Sequence, residues 1–171
     1  MATAYEKEIV EANKKYASTY KHGGLELKPK KKAVVITCMD CRLNPAEAYG
    51  LDYGDTITLR NGGAMPEDAY RSAVISCIVL GAEEVFLVKH TRCGLLNAPP
   101  DNVIHQVMKQ RLGVTESKEV DEFVPMSFDD PEQSARAGVE WLRNAPLLPK
   151  DVRVTGWVHD TDTGLVKKVV E

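Results

Sequence analysis

The sequence predicts an α/β domain: a mainly parallel central sheet of four to five strands flanked by helices, with a C-terminal hairpin and an extra N-terminal helix. Three observations carry this. Val34, Val35 and Ile36, like Val85 to Val88, form unbroken apolar runs rich in β-branched residues, which suits strands buried on both faces of a parallel sheet. Segments with helical spacing alternate with those runs along most of the chain, the order expected of βα units. The 171 residues amount to one domain, 1–171, large enough to bury roughly 70% of the unfolded surface without staples.

Taken in order, residues 4–20 read as a helix, with Tyr5, Ile9, Ala12 and Tyr16 at spacings of three and four and charges between them. His22, Gly23 and Gly24 end it, so residues 1–24 form an N-terminal helical arm. A helix ahead of the first strand has no βαβ role, which leaves it to pack across the sheet or to reach over a partner subunit. The basic run Lys28, Lys30, Lys31 and Lys32 reads as a solvated linker rather than an anion-binding patch. The first strand leads into 33–42, AVVITCMDCR. Asn44 and Pro45 then cap and open a short helix through Tyr49. A turn over 52–55 leads to a second strand at 56–60. Asn61, Gly62 and Gly63 follow, allowing tight approach or positive φ.

Residues 66–80 form a helix apolar on most sides, with Asp68, Ser72 and Ser76 as one narrow polar line and Gly81 as C-cap. Such a helix is expected to be buried against the sheet or in a subunit interface. The third strand, 85–90, ends in His90. An amphipathic helix at 101–112 is built on Val103, Ile104, Val107 and Met108, and 113–128 reads as an irregular, acidic surface excursion. Asp130 and Pro131 cap and open a helix to Asn144 with Ala135, Val139 and Leu142 as its core stripe. Strands at 152–158 and 165–170 make the terminal hairpin.

A net charge of −3 and a pI near 5.9 give no electrostatic case for nucleic acid or an anionic membrane. The mixed charges of the N-terminus fit neither a signal nor a transit peptide, and no stretch reaches the ~18 apolar residues of a membrane span. The expectation is a soluble, cytoplasmic protein.

Chemistry begins where the strands stop. Cysteines fall at 38, 41, 77 and 93, too few and too uneven for a disulfide scaffold. Cys77 lies in an apolar helix and reads as a small buried hydrophobe. Cys38, His90 and Cys93 bring two thiolates and an imidazole to the ends of two strands, a donor set that matches zinc. If extended geometry persists to Arg42, Cys38, Asp40 and Arg42 share one side, with Met39 and Cys41 on the other. That alternation favours a site of three protein ligands. With Cys41 as a fourth ligand the site would be closed and structural. A redox pair of Cys38 and Cys41 is disfavoured by the acid between them and leaves His90 and Cys93 without a task. His22, His105 and His159 lack ligand-type neighbours and read as ordinary residues.

CMDCR followed by NP, RNGG after the second strand, HTRCG after the third and the terminal GWVHDTDTG resemble the β-class carbonic anhydrases in their short, single-domain form. The resemblance implies zinc on Cys38, His90 and Cys93, an Asp40–Arg42 dyad beside the metal, and a Gly94 backbone N–H offered to bicarbonate. It implies reversible hydration of carbon dioxide by a metal-bound hydroxide, in a homodimer or a dimer of dimers with the site near the interface. Two thiolates should make zinc a weaker acid than three imidazoles would, so help is needed: Asp40 accepts a hydrogen bond from the hydroxide and aims its lone pair, while Arg42 keeps Asp40 ionised. In some family members the equivalent acid instead coordinates zinc.

Cys41 stands where the family usually has serine or alanine, Arg92 where short relatives have an acid, and RNGG replaces RNAG. Arg92 could attract bicarbonate, lower thiolate basicity or point to solvent. Two alternatives stand beside this reading: a low-activity or structural zinc-binding paralogue with Cys41 as fourth ligand, and a carbon disulfide or carbonyl sulfide hydrolase on the same site.

Overall fold

Ala33–Cys38 (β1) is buried at all six positions in a computed structural model that describes residues 2–171. Its apolar run is flanked on both sides: Thr56–Asn61 (β2) and Glu84–His90 (β3) both pair with it in parallel. Arg153–His159 (β4) is parallel to β3, and Val166–Val170 (β5) closes the sheet antiparallel to β4. The order is β2-β1-β3-β4-β5. The chain leaves β1 toward one edge and resumes on its other side at β3, so the carboxyl ends of β1 and β3 flank a topological switch point, where open α/β sheets bind their ligands.

Ala4–Ser18 (α1), Pro45–Ala48 (α2), Pro66–Ile78 (α3), Asp101–Leu112 (α4), Lys118–Asp121 (α5) and Pro131–Asn144 (α6) supply the helices. α3 and α6 cover one face of the sheet. Ala69, Ala73 and Cys77 from α3 and Val139 and Leu142 from α6 join Val34, Ile36, Val85, Leu87 and Val154 in one buried cluster. The expected stripe of α6 is therefore the observed one. Asp130 caps that helix, its carboxylate accepting from the Gln133 amide at 2.8 Å. α6 comes so close to the sheet that a Cβ on Gly138 would stand 2.6 Å from Leu87 Cδ2 and 3.2 Å from Pro66 Cγ. Leu87 is fully buried and the proline ring is rigid, so Gly138→Ala is expected to cost about 1–3 kcal/mol, the range of overpacked cores. A lower midpoint in urea unfolding is the readout.

The opposite face is indented by a groove. Ala33, Val35, Phe86, Val88 and Trp157 line an open groove of about 510 Å³ with Tyr49 at its side. α1 does not fill it. Thr3 and Glu6 close a capping box at its start, yet none of its residues is buried, and Tyr5, Ile9, Val10 and Tyr16 are exposed. Its tie to the body is a hydrogen bond between the Tyr16 and Tyr53 hydroxyls at 3.1 Å. Of the two places expected for the arm, packing across its own sheet is ruled out.

Several expectations need correction. Strand geometry ends at Cys38 rather than running to Arg42, because the Leu43 amide bonds back to the Asp40 carbonyl at 3.0 Å and makes a turn. In α3 the supposed polar line is partly inside: Ser76 is buried, its hydroxyl satisfied by the Ser72 carbonyl at 2.7 Å, while Ile78 and Val79 are 59% and 63% exposed. The helix stops at Ile78 with Val79 as C-cap, and Gly81, with φ of 74°, turns the chain two residues later. Asn44 occupies the N-cap position of α2 without capping; its amide bonds Glu47 instead. The 113–128 stretch contains α5, started by Ser117 capping the Val120 amide at 3.3 Å. α4 has its expected bounds but no buried residue. Among the described residues no helix is long and apolar enough to cross a membrane.

Candidate metal centre

Cys38 is the last residue of β1 and His90 the last of β3, so adjacent parallel strands deliver a sulfur and an imidazole to the same end of the sheet. Cys93 returns to them because Arg92 takes a left-handed conformation, φ of 52°, and the Leu96 amide bonds the Cys93 carbonyl at 3.0 Å. All three are buried, at 4%, 1% and 6% exposure. Their donor atoms lie within 4.8 Å of one another, with the sulfurs 3.9 Å apart.

The His90 ring is oriented by its own loop. Nδ1 faces the Thr91 carbonyl at 2.8 Å, which makes it the protonated nitrogen and leaves Nε2 with a lone pair. That Nε2 is buried and has no hydrogen-bond partner, an omission that ordinarily costs about 1–3 kcal/mol. The sulfurs share a proton: the Cys93 hydrogen bond lowers the Cys38 pKa, helped against burial by His90 and then by the amides of Asp40 and Gly63, while donation to Cys38, followed by burial, raises that of Cys93. A divalent ion would take the place of that proton. Two sulfurs and an orphaned imidazole nitrogen fit a zinc-type ion, and they supply three donors, the number usual in catalytic rather than structural sites.

Asp40 and Arg42 meet at the rim. Arg42 Nε donates to Asp40 Oδ1 at 2.9 Å and Nη2 to Oδ2 at 2.7 Å, a bidentate fork, and the Arg42 amide adds a third bond at 2.9 Å. The same Nη2 also donates to the Arg92 carbonyl at 2.7 Å, tying the dyad to the loop that carries Cys93. Asp40 Oδ2 is 3.9 Å from His90 Nε2. Arg42 beside it holds the Asp40 carboxyl well below the usual carboxylate range. Asp40 lies outside the Cys38, His90, Cys93 donor cluster; both its oxygens are engaged by Arg42.

Cys41 is exposed and outside the cluster. The turn at Asp40, not strand alternation, is what swings Cys41 outward, away from the place a third sulfur would take and from Cys38. Cys77 is buried as expected, and burial pushes its thiol up to about 11. Arg92 is not simply solvated: its guanidinium pairs with Asp162 in the β4–β5 turn. Gly94 follows Cys93 at the exposed rim, with open space where a side chain would be.

Sequence reasoning does not single out Arg60 or His159. Arg60 donates to the Cys38 carbonyl at 3.0 Å and the Asp40 carbonyl at 2.7 Å, bracing the chain between them. Its place in RNGG was the available signal. His159 is buried opposite His90 in the ladder, with Nδ1 unpaired, and its pKa is lowered by burial and then by His90. The position within GWVHDTDTG marked it, but no ligand-type neighbour did. Thr161 of the same motif bonds Thr91, holding the hairpin turn against the ligand loop.

Residues 33–166 match the carbonic anhydrase family. The chain belongs to that family of enzymes. Among β-carbonic anhydrases, its sequence is 30% identical over 158 residues to β-carbonic anhydrase 1 of Mycobacterium tuberculosis, covering 92% of this chain and 93% of the relative. It is also 32% identical over 146 residues to a carbon disulfide hydrolase of Acidithiobacillus thiooxidans, covering 76% and 73%. The carbonic anhydrase of Streptococcus mutans superposes with a TM-score of 0.89 at 36% identity, covering 99% of each chain. That of Glaciozyma antarctica gives 0.90 at 32%, covering 99% of this chain and 100% of the other. A carbonic anhydrase fold thus accounts for the five-stranded sheet and its terminal hairpin.

Proposed function

We propose that this carbonic anhydrase family member hydrates carbon dioxide reversibly to bicarbonate on a zinc ion held by Cys38, His90 and Cys93. The observation that carries the reading is the buried, unpaired His90 Nε2 facing two sulfurs, with the Asp40–Arg42 fork beside it. Zinc at that position would supply the Lewis acidity that brings a water from a pKa of about 15.7 toward about 7.

The chain's own residues do the rest. Asp40 stays ionised at any working pH because Arg42 depresses its pKa, so it serves as a hydrogen-bond acceptor that orients the attacking water and not as the base that stores its proton. Arg42 also occupies both carboxylate oxygens, which holds Asp40 beside the donor cluster rather than in it. The Gly94 N–H, at the open rim beside Cys93, receives an oxygen of bicarbonate. Buried walls around the sulfurs and the imidazole limit competing hydration of the ligands.

Carbon disulfide hydrolysis at the same site is the second reading, favoured by the relatives that bear that name. Whole-length likeness favours the first. A carbon disulfide hydrolase structure superposes with a TM-score of 0.69 at 27% identity, against 0.89 at 36% for the Streptococcus mutans carbonic anhydrase. Stopped-flow hydration of carbon dioxide by the purified, metal-analysed protein, run beside a carbon disulfide assay, tests the choice. Hydration well above the buffer rate supports the proposal; turnover of carbon disulfide alone overturns it.

The unit is a homodimer or a dimer of dimers, working in the cytoplasm, where four free cysteines remain reduced. An isolated 15-residue helix is marginal in water, so α1 with its exposed Tyr5, Ile9 and Val10 is best covered by the open sheet face of a second copy. The exposed Ile78 and Val79 of the α3 end offer a separate surface for pairing dimers. Deleting residues 1–24 is expected to convert the dimer to monomer in sedimentation velocity. An unchanged sedimentation coefficient per mass would show that the arm is not the joint.

A further inference from the structure

Lys89 is a buried lysine without a carboxylate partner. It is 1% exposed, and its Nζ donates to the Gly63 carbonyl at 2.8 Å, lies 3.0 Å from Met65 Sδ and sits 5.1 Å from the centre of the Phe128 ring. A carbonyl, a thioether and a ring face do not neutralise an ammonium, and an uncompensated buried charge is costly. Methionine has nearly the same length and would fill this space without that cost. The charge therefore calls for a purpose.

Its neighbours supply one. Thr37 pairs with Val88 across β1 and β3, so Lys89 follows directly abreast of Cys38 and on the same face of the sheet. The turn it grips, Gly62–Ala64, has Gly63 and Ala64 in left-handed conformations, φ of 71° and 53°, and is pinned at its other end by Asn61, whose side chain bonds both the Met65 amide and carbonyl. The turn follows Asn61, the ladder partner of Cys38, so the carbonyl that Lys89 holds belongs to the backbone beside that sulfur.

We propose that Lys89 is a positioning residue for the sulfur side of the metal centre: its ammonium locks the Gly62–Ala64 turn over Cys38 and offsets the negative charge that Cys38 and Cys93 bring to an ion. Two thiolates cancel the charge of a divalent ion and weaken it as an acid, so a cation behind the sulfurs restores part of what they remove. The inference rests on the reading of Cys38, His90 and Cys93 as metal ligands.

Cobalt(II) in place of zinc reports on the sulfurs directly, through the thiolate-to-cobalt charge-transfer band. In Lys89→Met that band is expected at longer wavelength than in the parent, because sulfurs that lose a nearby cation are easier to oxidise. The melting temperature of the variant should hold or rise, since a buried charge has been exchanged for an apolar chain of similar volume. A band at the same wavelength in parent and variant, both loaded with cobalt, overturns the role of Lys89 and leaves the metal site standing. A parent that takes up no cobalt overturns the metal site and the inference with it. Should Lys89→Met fail to fold, Lys89→Gln removes the charge while keeping a donor; the same shift is expected, and its absence is equally decisive.

Discussion

Cys38→Ser is expected to abolish both bound metal and turnover while leaving the fold in place. The substitution keeps the size of a side chain buried at the end of β1 but exchanges a soft, readily ionised sulfur for a hydroxyl that stays protonated. Two donors then remain, Cys93 and His90, too few for a site of this type. The loss should also appear in stability. A ligand that binds only the folded state at a thousand times its Kd contributes about 4.1 kcal/mol, so a chelator should lower the unfolding midpoint of the parent and leave that of Cys38→Ser where it is. Equal response of the two proteins to chelator would remove Cys38 from the ligand set.

Asp40→Asn is expected to keep the metal and lose roughly 10–100-fold in turnover, the range for residues that orient a metal's ligands from outside. Asn offers Arg42 one oxygen where Asp40 offers two, at 2.9 and 2.7 Å, and presents an N–H₂ where an acceptor is needed. The sign of the linked stability is fixed. The folded pKa of Asp40 lies below its ordinary value of 3.8, so its ion pair contributes stability above that pH, which is lost as pH falls through the folded value. Asn has no such contribution. The variant should therefore be less stable than the parent near neutrality and approach it in strong acid, with unfolding followed by circular dichroism from pH 7 downward. Full turnover with metal intact would exclude Asp40 from the chemistry.

Most of the sheet was legible because its strands are apolar on both faces. Val34 to Ile36 can hardly sit anywhere except between layers, and the observed β1 is buried throughout. The donor cluster was legible for a related reason: side chains at the ends of successive parallel strands converge whatever the loops do, as Cys38 and His90 illustrate. What periodicity could not supply was the local path after a strand stops. The turn that turns Cys41 outward depends on one Leu43 to Asp40 hydrogen bond, and hydrophobic alternation contains no information about it. Ser76 was misplaced because a serine can satisfy itself on its own helix and enter the core, while Ile78 and Val79 stay exposed. The partners of Arg92 and Lys89 were invisible for want of any local signal. Asp162 is distant in sequence, and a carbonyl with a thioether makes no motif.

X-ray absorption at the metal edge of the purified, unmodified protein tests the centre most directly. Two sulfur scatterers with one imidazole and one lighter oxygen donor are the predicted shell. Three sulfurs, or a protein isolated from zinc-replete medium with no metal to absorb, would contradict it.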